Sequence, residues 1–510
     1  MKPNFFERAL SVISPRAAAD RLSYRRAFRE MARAYDGGKA GRRTEGWVAH
    51  GTSANAEIGP WVARLRARSR DMVRNSAWGA RAGRVIKSNV VGVGITPYLS
   101  SGSPDDKKLV MDQYQAFVEN CDPAGMLDFY GIQALIMNTV FESGEALVRV
   151  RLRPSSWALD VPVQLEVLEP DFVDFEKNEA LKDGGVIIQG VEFDRHGRRR
   201  AYWMFPEHPG EAIAGFGRNN FVSRRVPAEE IIPVFDVLRP GQVHGVPWVA
   251  PVIMKMRDLD DYDDAELVRK KIEACFVAFV KNQGVLGHGG LTGQAAKNSQ
   301  GELQERLSPG RIFNLKDGQE VSFGAPAAFS GYSDYMYTQL HAIAAGIGVT
   351  YEQLTGDLKA VNYGSMRGGK VEFWQILDMW QNHMMVHQLC RRIWSAIDQN
   401  MVFLGKRPPG FSRANWTPPV RAWVDPLKDE QAEENAIRAG LKTLRQSLST
   451  RGRDPDQHLA EIAEINQILD EKGLKLTTDA RVDMKSTEKV AAAGGAGEED
   501  DAEKTSKSDD

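Results

Sequence analysis

Apolar and polar positions alternate from Leu147 to Leu152, with Arg149 and Arg151 on the polar face, which predicts a half-buried strand. Val163–Leu168, Val186–Phe193 and Ile231–Phe235 are further strand-like runs. In EFDRHGRRRAYWMF a polar turn around Gly197 separates two β-prone stretches and predicts a hairpin. Helical spacing prevails elsewhere. Leu22, Tyr24, Phe28 and Met31 form a narrow apolar stripe among Arg21, Arg25, Arg26, Arg29 and Arg33, and Leu65, Met72 and Val73 do so among Arg64, Arg68 and Arg70. The Gly-, Ser- and Thr-rich stretch Gly37–Pro60 between them reads as loop.

Pro251 suits a first helical turn, and no Gly or Pro follows until after Lys281. About thirty helical residues would extend roughly 45 Å. Gly284–Gly310 is polar and glycine-rich, and Asp317-Gly318 between RIFNL and QEVSF predicts a second hairpin. Tyr332, Tyr335, Met336, Leu340, Ile343 and Ile347 return to helical spacing; a loop to Tyr363 and a long helix over Met366–Leu404 follow. Pro408–Pro419 breaks the pattern, and a helical pair begins near Asp425, with Gly440 and Gly452 near its turns. The expected architecture is an α+β body, long helices divided by a small β insert, and a helical appendix. Such a chain is elongated.

The 510 residues, 42% hydrophobic and 26% charged, provide for two to four packed folding units. The densest short apolar run, Ala274–Val280, is too brief for a bilayer, and MKPNFFERALSVISPRAA has no signal-peptide core. Three widely spaced cysteines, Cys121, Cys275 and Cys390, do not make a disulfide framework and fit a reducing compartment. The net charge of −2 conceals an asymmetry. Residues 1–90 hold 19 Lys/Arg against 7 Asp/Glu, whereas the low-complexity tail after Lys489 ends acidic and is expected to be disordered. A basic front end suits a polyanionic partner or a solvated helix surface.

Familiar chemical motifs fail on their details. GSMRGGKV (Gly364–Val371) resembles a phosphate loop, but GDLKAVNY is no buried strand and Val371 occupies the hydroxyl position needed for Mg²⁺. His383, His387 and Cys390 have one-face helical spacing for Zn²⁺, yet no fourth ligand at motif spacing and no HExxH glutamate. Asp258, Asp260, Asp261, Asp263, Asp264 and Glu266 could form a two-metal nuclease site, but consecutive acids on a helix diverge, and Arg269, Lys270 and Lys271 follow them. No enzyme, metal or cofactor is expected.

Several blocks, in order over residues 35–465, resemble phage portal proteins of the lambda family. They are RRTEGW and GTSANAEIG within Arg42–Gly59, RARSRDMVRNSAW, VVGVGITP, and GVPWVAPVIMKMRDLDDYDDAELVRKKIEACF. The most specific is AAGIGVTYEQLTGDLKAVNYGSMRGG (Ala344–Gly369), with WVDPLKDEQAEENAI supporting it. The resemblance implies a portal-type fold: N-terminal basic helices and wing (1–249), first stem helix (250–282), β-containing clip (283–331), second stem helix (332–348), channel loop (349–365), long wing helix (366–415), helical crown (420–485) and disordered acidic tail (486–510).

It also implies a non-enzymatic ring, usually of twelve subunits, at one capsid vertex. Double-stranded DNA would enter and leave through its channel. The clip would dock the large terminase subunit and then neck or head-completion proteins, and the ring would nucleate head assembly with major capsid and scaffold proteins. The chain would reside in the host cytoplasm before assembly, with no membrane. Candidate channel-loop residues are Lys359, Asn362, Tyr363, Arg367 and Lys370; Lys359 departs from the small or neutral residue usual there and could touch phosphate. Asp260, Asp261 and Asp264 are candidate lumen-lining acids that would let a duplex slide, and Arg25, Arg29, Arg33, Arg64 and Arg68 a basic surface for packaged DNA or capsid and scaffold. Two other readings stand beside this one: a metal-dependent DNA-processing enzyme using the acidic cluster, and a monomeric basic nucleic-acid-binding adaptor.

Overall fold

The computed structural model describes residues 51–211, 222–274, 331–359, 361–421, 426–451, 455–474 and 476, isolated positions before residue 50, and four short strands between 278 and 323. The chain divides into two units, Met1–Glu57 and Ile58–Asp510. In the first, the Thr52 hydroxyl donates to Glu57 at 2.6 Å. The predicted helix over residues 20–35 lies outside the described residues.

The second unit begins with α1 (Val62–Asn75) and α2 (Ala77–Val90). Extended backbone at Ser76 bends the chain between them. Gly79 makes the bend tight: a Cβ there would lie 2.5 Å from the Met72 carbonyl oxygen. β1 (Thr96–Tyr98) and α3 (Pro104–Asn120) follow, with Ser103 capping α3 and Pro104 in its first turn. In α4 (Phe129–Ser143) the Asp128 carboxylate accepts from the Gly131 amide, and Gly144, at φ +90°, ends the helix.

The chain then enters two antiparallel sheets. β2 (Glu145–Leu152) lies between β3 (Val163–Leu168) and β9 (Ile231–Phe235) in a three-stranded sheet, with Val148 opposite Val167 and Ile232. Both faces of its first half are buried. Ala146 and Val148 join the main core, and Leu147 joins a smaller cluster with Val191, Tyr202 and Ile231. The five-stranded sheet orders β4 (Glu179–Ala180), β5 (Val186–Ile188), β6 (Val191–Phe193), β7 (Arg199–Met204) and β8 (Arg224–Pro227) sequentially.

The Gly197 hairpin is present between β6 and β7, its turn tied by Asp194 Oδ1 accepting from the His196 and Arg198 amides, each at 2.8 Å. Val186–Phe193 proves to be two strands. Gln189 and Gly190 both take positive φ, 49° and 80°, and reverse the chain so that Ile188 pairs with Val191. A single Gln-Gly pair inside an otherwise β-prone run is a weak turn signal.

α5 (Ile253–Ala274) ends earlier than the Gly/Pro-free interval suggested. The β-branched and aromatic run after it forms β10 (Ala278–Asn282), in keeping with its strand propensity. β11 (Ala296–Lys297) pairs with β12 (Leu303–Gln304), and β13 (Gln319–Phe323) pairs with β10, Val280 opposite Val321. The predicted Asp317-Gly318 turn lies outside the described residues.

α6 (Tyr332–Ile347) is followed by α7 (Tyr351–Thr355), a short helix inside the expected loop. A continuous helical run extends from Tyr363 to Phe403: α8 (Tyr363–Met379), a π-wound segment Trp380–Cys390, and α9 (Arg391–Phe403). The widened segment is clamped at two points. Gln381 Nε2 donates to the Val90 carbonyl at 3.0 Å, and Gln388 exchanges two hydrogen bonds with the Phe235 backbone. Trp394 packs near Tyr114 and Trp416, and its indole donates to the Phe411 carbonyl at 2.7 Å. β14 (Asn415–Thr417) pairs with β1. The C-terminal part is three helices rather than a pair: α10 (Pro426–Arg438), α11 (Leu444–Thr450) and α12 (Pro455–Glu471).

Candidate nucleic-acid interface

The α7–α8 connection is built by local capping. Gly348, at φ +88°, stops α6; Thr350 and Gln353 exchange side-chain and backbone hydrogen bonds to start α7; Gly356, at φ +75°, stops it. Asn362 and Ser365 repeat the reciprocal cap at α8, with Ser365 N donating to Asn362 Oδ1 at 2.8 Å. Between two fixed helix ends the chain exposes Leu358 and Lys359.

The predicted loop residues therefore divide by role. Lys359 and Tyr363 are exposed, and Lys370 is half-buried. Asn362 is engaged in the cap. Arg367 faces Asp429 of α10, its Nη2 3.4 Å from Oδ1. Gly364, Gly368 and Gly369 lie in the first turns of α8, so the glycine-rich motif forms helix rather than a phosphate-cradling loop.

The acidic residues of α5 also diverge. Asp260 is half-buried against the α1–α2 bend, where Ser76 Oγ lies 3.5 Å from Oδ1; burial raises its carboxyl pKa, the serine contact opposes this, and the neighbouring acids Asp263, Asp264 and Asp261 add to the rise. Asp261 and Asp264 are exposed, whereas Asp263 accepts from the Tyr332 hydroxyl and Glu266 pairs with Arg269 at 2.5 Å. Asp260 thus faces protein.

His383 and His387 are exposed and Cys390 is buried. The π winding replaces the i, i+4 phase on which a shared metal-binding face depended. Among the described residues, one set of three potential ligands converges: Glu169, Asp171 and His208. Arg70 already occupies that corner, with Nη2 3.1 Å from Glu169 and hydrogen-bonded to Asp171. The acids have a protein cation as counter-ion.

Arg64 and Arg68 are exposed on α1, whereas Arg25, Arg29 and Arg33 lie outside the described residues. The other face of α1 holds a network that the reading of a basic helix missed. Arg66 is buried, donates through Nη2 to Glu145 Oε1 at 2.5 Å and through Nε to the Ser143 carbonyl at 3.0 Å, and covers the Phe175 ring. His244 Nδ1 is 2.8 Å from the same Glu145 oxygen, and Nε2 is 2.9 Å from the Gln189 carbonyl. Burial pushes the Glu145 carboxyl upward, but His244 and Arg66 outweigh it and hold the pKa at about 2. The available signal was spacing: Arg66 and Arg70 share the i, i+4 face with Val62 and Val73, opposite Arg64 and Arg68.

These features define an α+β protein whose residue clusters are occupied by structural ion pairs and caps. Residues 40–381 match the family described as phage portal protein, lambda family, and as this is more than half of the chain, the chain belongs to that family. It is 26% identical over 421 residues to the probable portal protein of Halomonas phage phiHAP-1, covering 78% of this chain and 79% of that one. It is 23% identical over 493 residues to portal protein B of Escherichia phage lambda, covering 85% and 89%. Among solved structures it is similar to a chain from the neck of a native gene transfer agent particle, at TM-score 0.45 and 14% identity, covering 76% of this chain and 94% of that one. The family and α+β expectations are met. Portal proteins are structural, in agreement with the non-enzymatic reading.

Proposed function

We propose that the chain is the subunit of a DNA-conducting portal ring at one capsid vertex, usually of twelve copies, through which double-stranded DNA is packaged and ejected. The observation that carries this reading is the family match over residues 40–381, which includes α5, α6 and the capped α7–α8 connection. In this reading α5 and α6 are the stem, the β10–β13 region the clip that docks terminase and later neck proteins, 349–365 the channel loop and 366–415 the long wing helix. The C-terminal helices belong to the crown. Residues 1–249 form the basic N-terminal part and wing; the ring nucleates the head with capsid and scaffold proteins after the subunit has been made in the host cytoplasm.

Lys359 and Tyr363 are its exposed candidates for DNA contact, with Lys370 beside them. Asp261 and Asp264 are the stronger lumen-facing candidates, since Asp260 has turned toward Ser76. The stem needs weak contact with DNA, because strong phosphate binding would oppose sliding.

The test is mass photometry and electron microscopy of the purified chain. Twelve copies of a 56.7 kDa chain give about 680 kDa and an annular view. A particle that remains at the single-chain mass at high concentration overturns the reading.

A further inference from the structure

The exposed positions of α2 fall on one side. Ala77, Arg81, Arg84 and Ser88 face solvent, whereas Ala82, Gly83, Ile86 and Val90 on the opposite side are buried. At 3.6 residues per turn the four exposed positions span about 60° of the helix circumference. Lys87 flanks them, half-buried. The helix carries these three cations and no acid.

The fold leaves that charge uncompensated. Among the described residues Arg81, Arg84 and Lys87 pair with no carboxylate, whereas Arg149 meets Glu230, Arg225 meets Glu192 and Arg421 meets Asp378. Arg81 Nε donates to the Gln353 carbonyl at 3.1 Å, a neutral partner that orients the guanidinium without cancelling its charge. Like charges three residues apart on a helix repel, and a bound anion relieves that repulsion.

α2 is also held firmly, beside the α7–α8 connection. Gly83 lies against the Phe141 ring of α4, which is 3.3 Å from where a Cβ would stand. Gln381 Nε2 donates to the Asn89 and Val90 carbonyls at 3.1 and 3.0 Å. The Arg81–Gln353 bond sets the stripe against α7, whose end leads to exposed Lys359. The acids of that segment, Glu352 and Asp357, make no ion pair with the stripe, and Asp357 Oδ1 accepts from the Lys359 amide at 3.1 Å.

We infer that Arg81 and Arg84 bind backbone phosphates of duplex DNA, carrying the contact proposed for Lys359 onto α2. A guanidinium presents paired N–H donors that match phosphate oxygens. The other exposed positions of the stripe, Ala77 and Ser88, supply none of the aromatic or large apolar anchors on which a protein interface depends. A duplex needs no such anchor, because its phosphates supply the affinity. The inference deepens the proposed function and rests on it for the identity of the polyanion.

Fluorescence anisotropy of a labelled duplex, titrated with the full chain over a series of salt concentrations, tests it once the mass of each preparation has been measured. Each phosphate contact contributes about 0.9 to the slope of log affinity against log salt, so Arg81→Gln with Arg84→Gln should lower that slope by about 1.8. The pair should melt together with Arg81→Lys, which gives up the Gln353 bond but keeps the charge and the parent slope. Arg438→Gln removes an exposed arginine already paired with Glu434 at 2.7 Å and should leave the slope unchanged.

A parent slope in the double variant at ring mass overturns this contact and leaves the ring reading standing. Single-chain mass overturns the ring reading, while a lowered slope in that preparation still upholds the phosphate contact. Poly-glutamate in place of the duplex is the comparison: substitutions that weaken its binding and not that of DNA assign the stripe to an acidic polypeptide and overturn the inference.

Discussion

Glu145 and His244 are separated by 99 residues, yet His244 Nδ1 lies 2.8 Å from Glu145 Oε1 in the buried interior. That contact joins the start of β2 to the chain leading into α5, and Arg66 adds α1 to the same oxygen. Both His244 nitrogens lie within hydrogen-bond distance of oxygens, Glu145 on one side and the Gln189 carbonyl on the other. An interior charge left without its partner is costly, so the three residues act as a unit.

Glu145→Gln is expected to destabilise the folded chain by about 3 kcal/mol, as it leaves Arg66 without a carboxylate. The folded carboxyl titrates near 2 against an ordinary value of 4.5. Its stabilisation is therefore present above 4.5 and is lost as pH falls from there through about 2. Urea midpoints measured down that range should fall steeply in the parent and less steeply in the variant; equal slopes would contradict the assignment.

Gly144→Ala is expected to cost at least about 2 kcal/mol. The position has φ +90°, and a Cβ would lie 2.5 Å from the Val246 carbonyl carbon. Gly241→Ala is the control: φ is +76°, with open space around the added atom, so the cost is about 1 kcal/mol from backbone conformation alone. Thermal melts of the two variants should separate clash from strain.

Glu433 organises the appendix, accepting from Lys442 at 2.5 Å and from Ser447 at 2.6 Å, with Arg451 nearby at 3.4 Å. Partial burial raises its carboxyl pKa, but these contacts outweigh that effect and hold it at about 2. Glu433→Gln should weaken the α10–α11 junction by about 1 kcal/mol and speed proteolysis within 426–451, leaving the body resistant. The stabilisation is present above 4.5 and lost as pH falls through about 2, so an acid-active protease near that pH should produce the same cleavage pattern in the parent, whereas mild acid should not.

Lys359→Glu and Asn362→Ala should differ in kind. Asn362→Ala removes a helix cap and costs about 1 kcal/mol of stability. Exposed Lys359 should leave the melting temperature unchanged when reversed, while altering packaging or retention of DNA in assembled particles. Unchanged packaging would remove the proposed phosphate contact.

Much of the fold was legible because local patterns and tertiary contacts agree. β2, β3, β9 and the Gly197 hairpin follow directly from alternation and turn residues. The β5–β6 reversal was hidden because Gln189 gives no glycine-like warning before Gly190. The end of α5 was misread because an interval free of Gly and Pro permits helix without requiring it, and FVAFV prefers strand. The contacts of the candidate loop residues were not legible. Asn362 and Arg367 have polar side chains suited to DNA, but their contacts are a cap and a carboxylate, and spacing alone does not reveal which partner a polar group has found. Arg66 was obscured for the converse reason: its acid lies 79 residues away.

The π-wound stretch of the long helix has a consequence for how its length can vary. Gln381 grips the end of α2 and Gln388 grips β9, so the seven-residue step between them is a gauge held at both marks. One residue inserted inside it would rotate the second grip away from Phe235, whereas a residue added beyond Phe403 would disturb neither. Side chains between the grips can change more readily than their number.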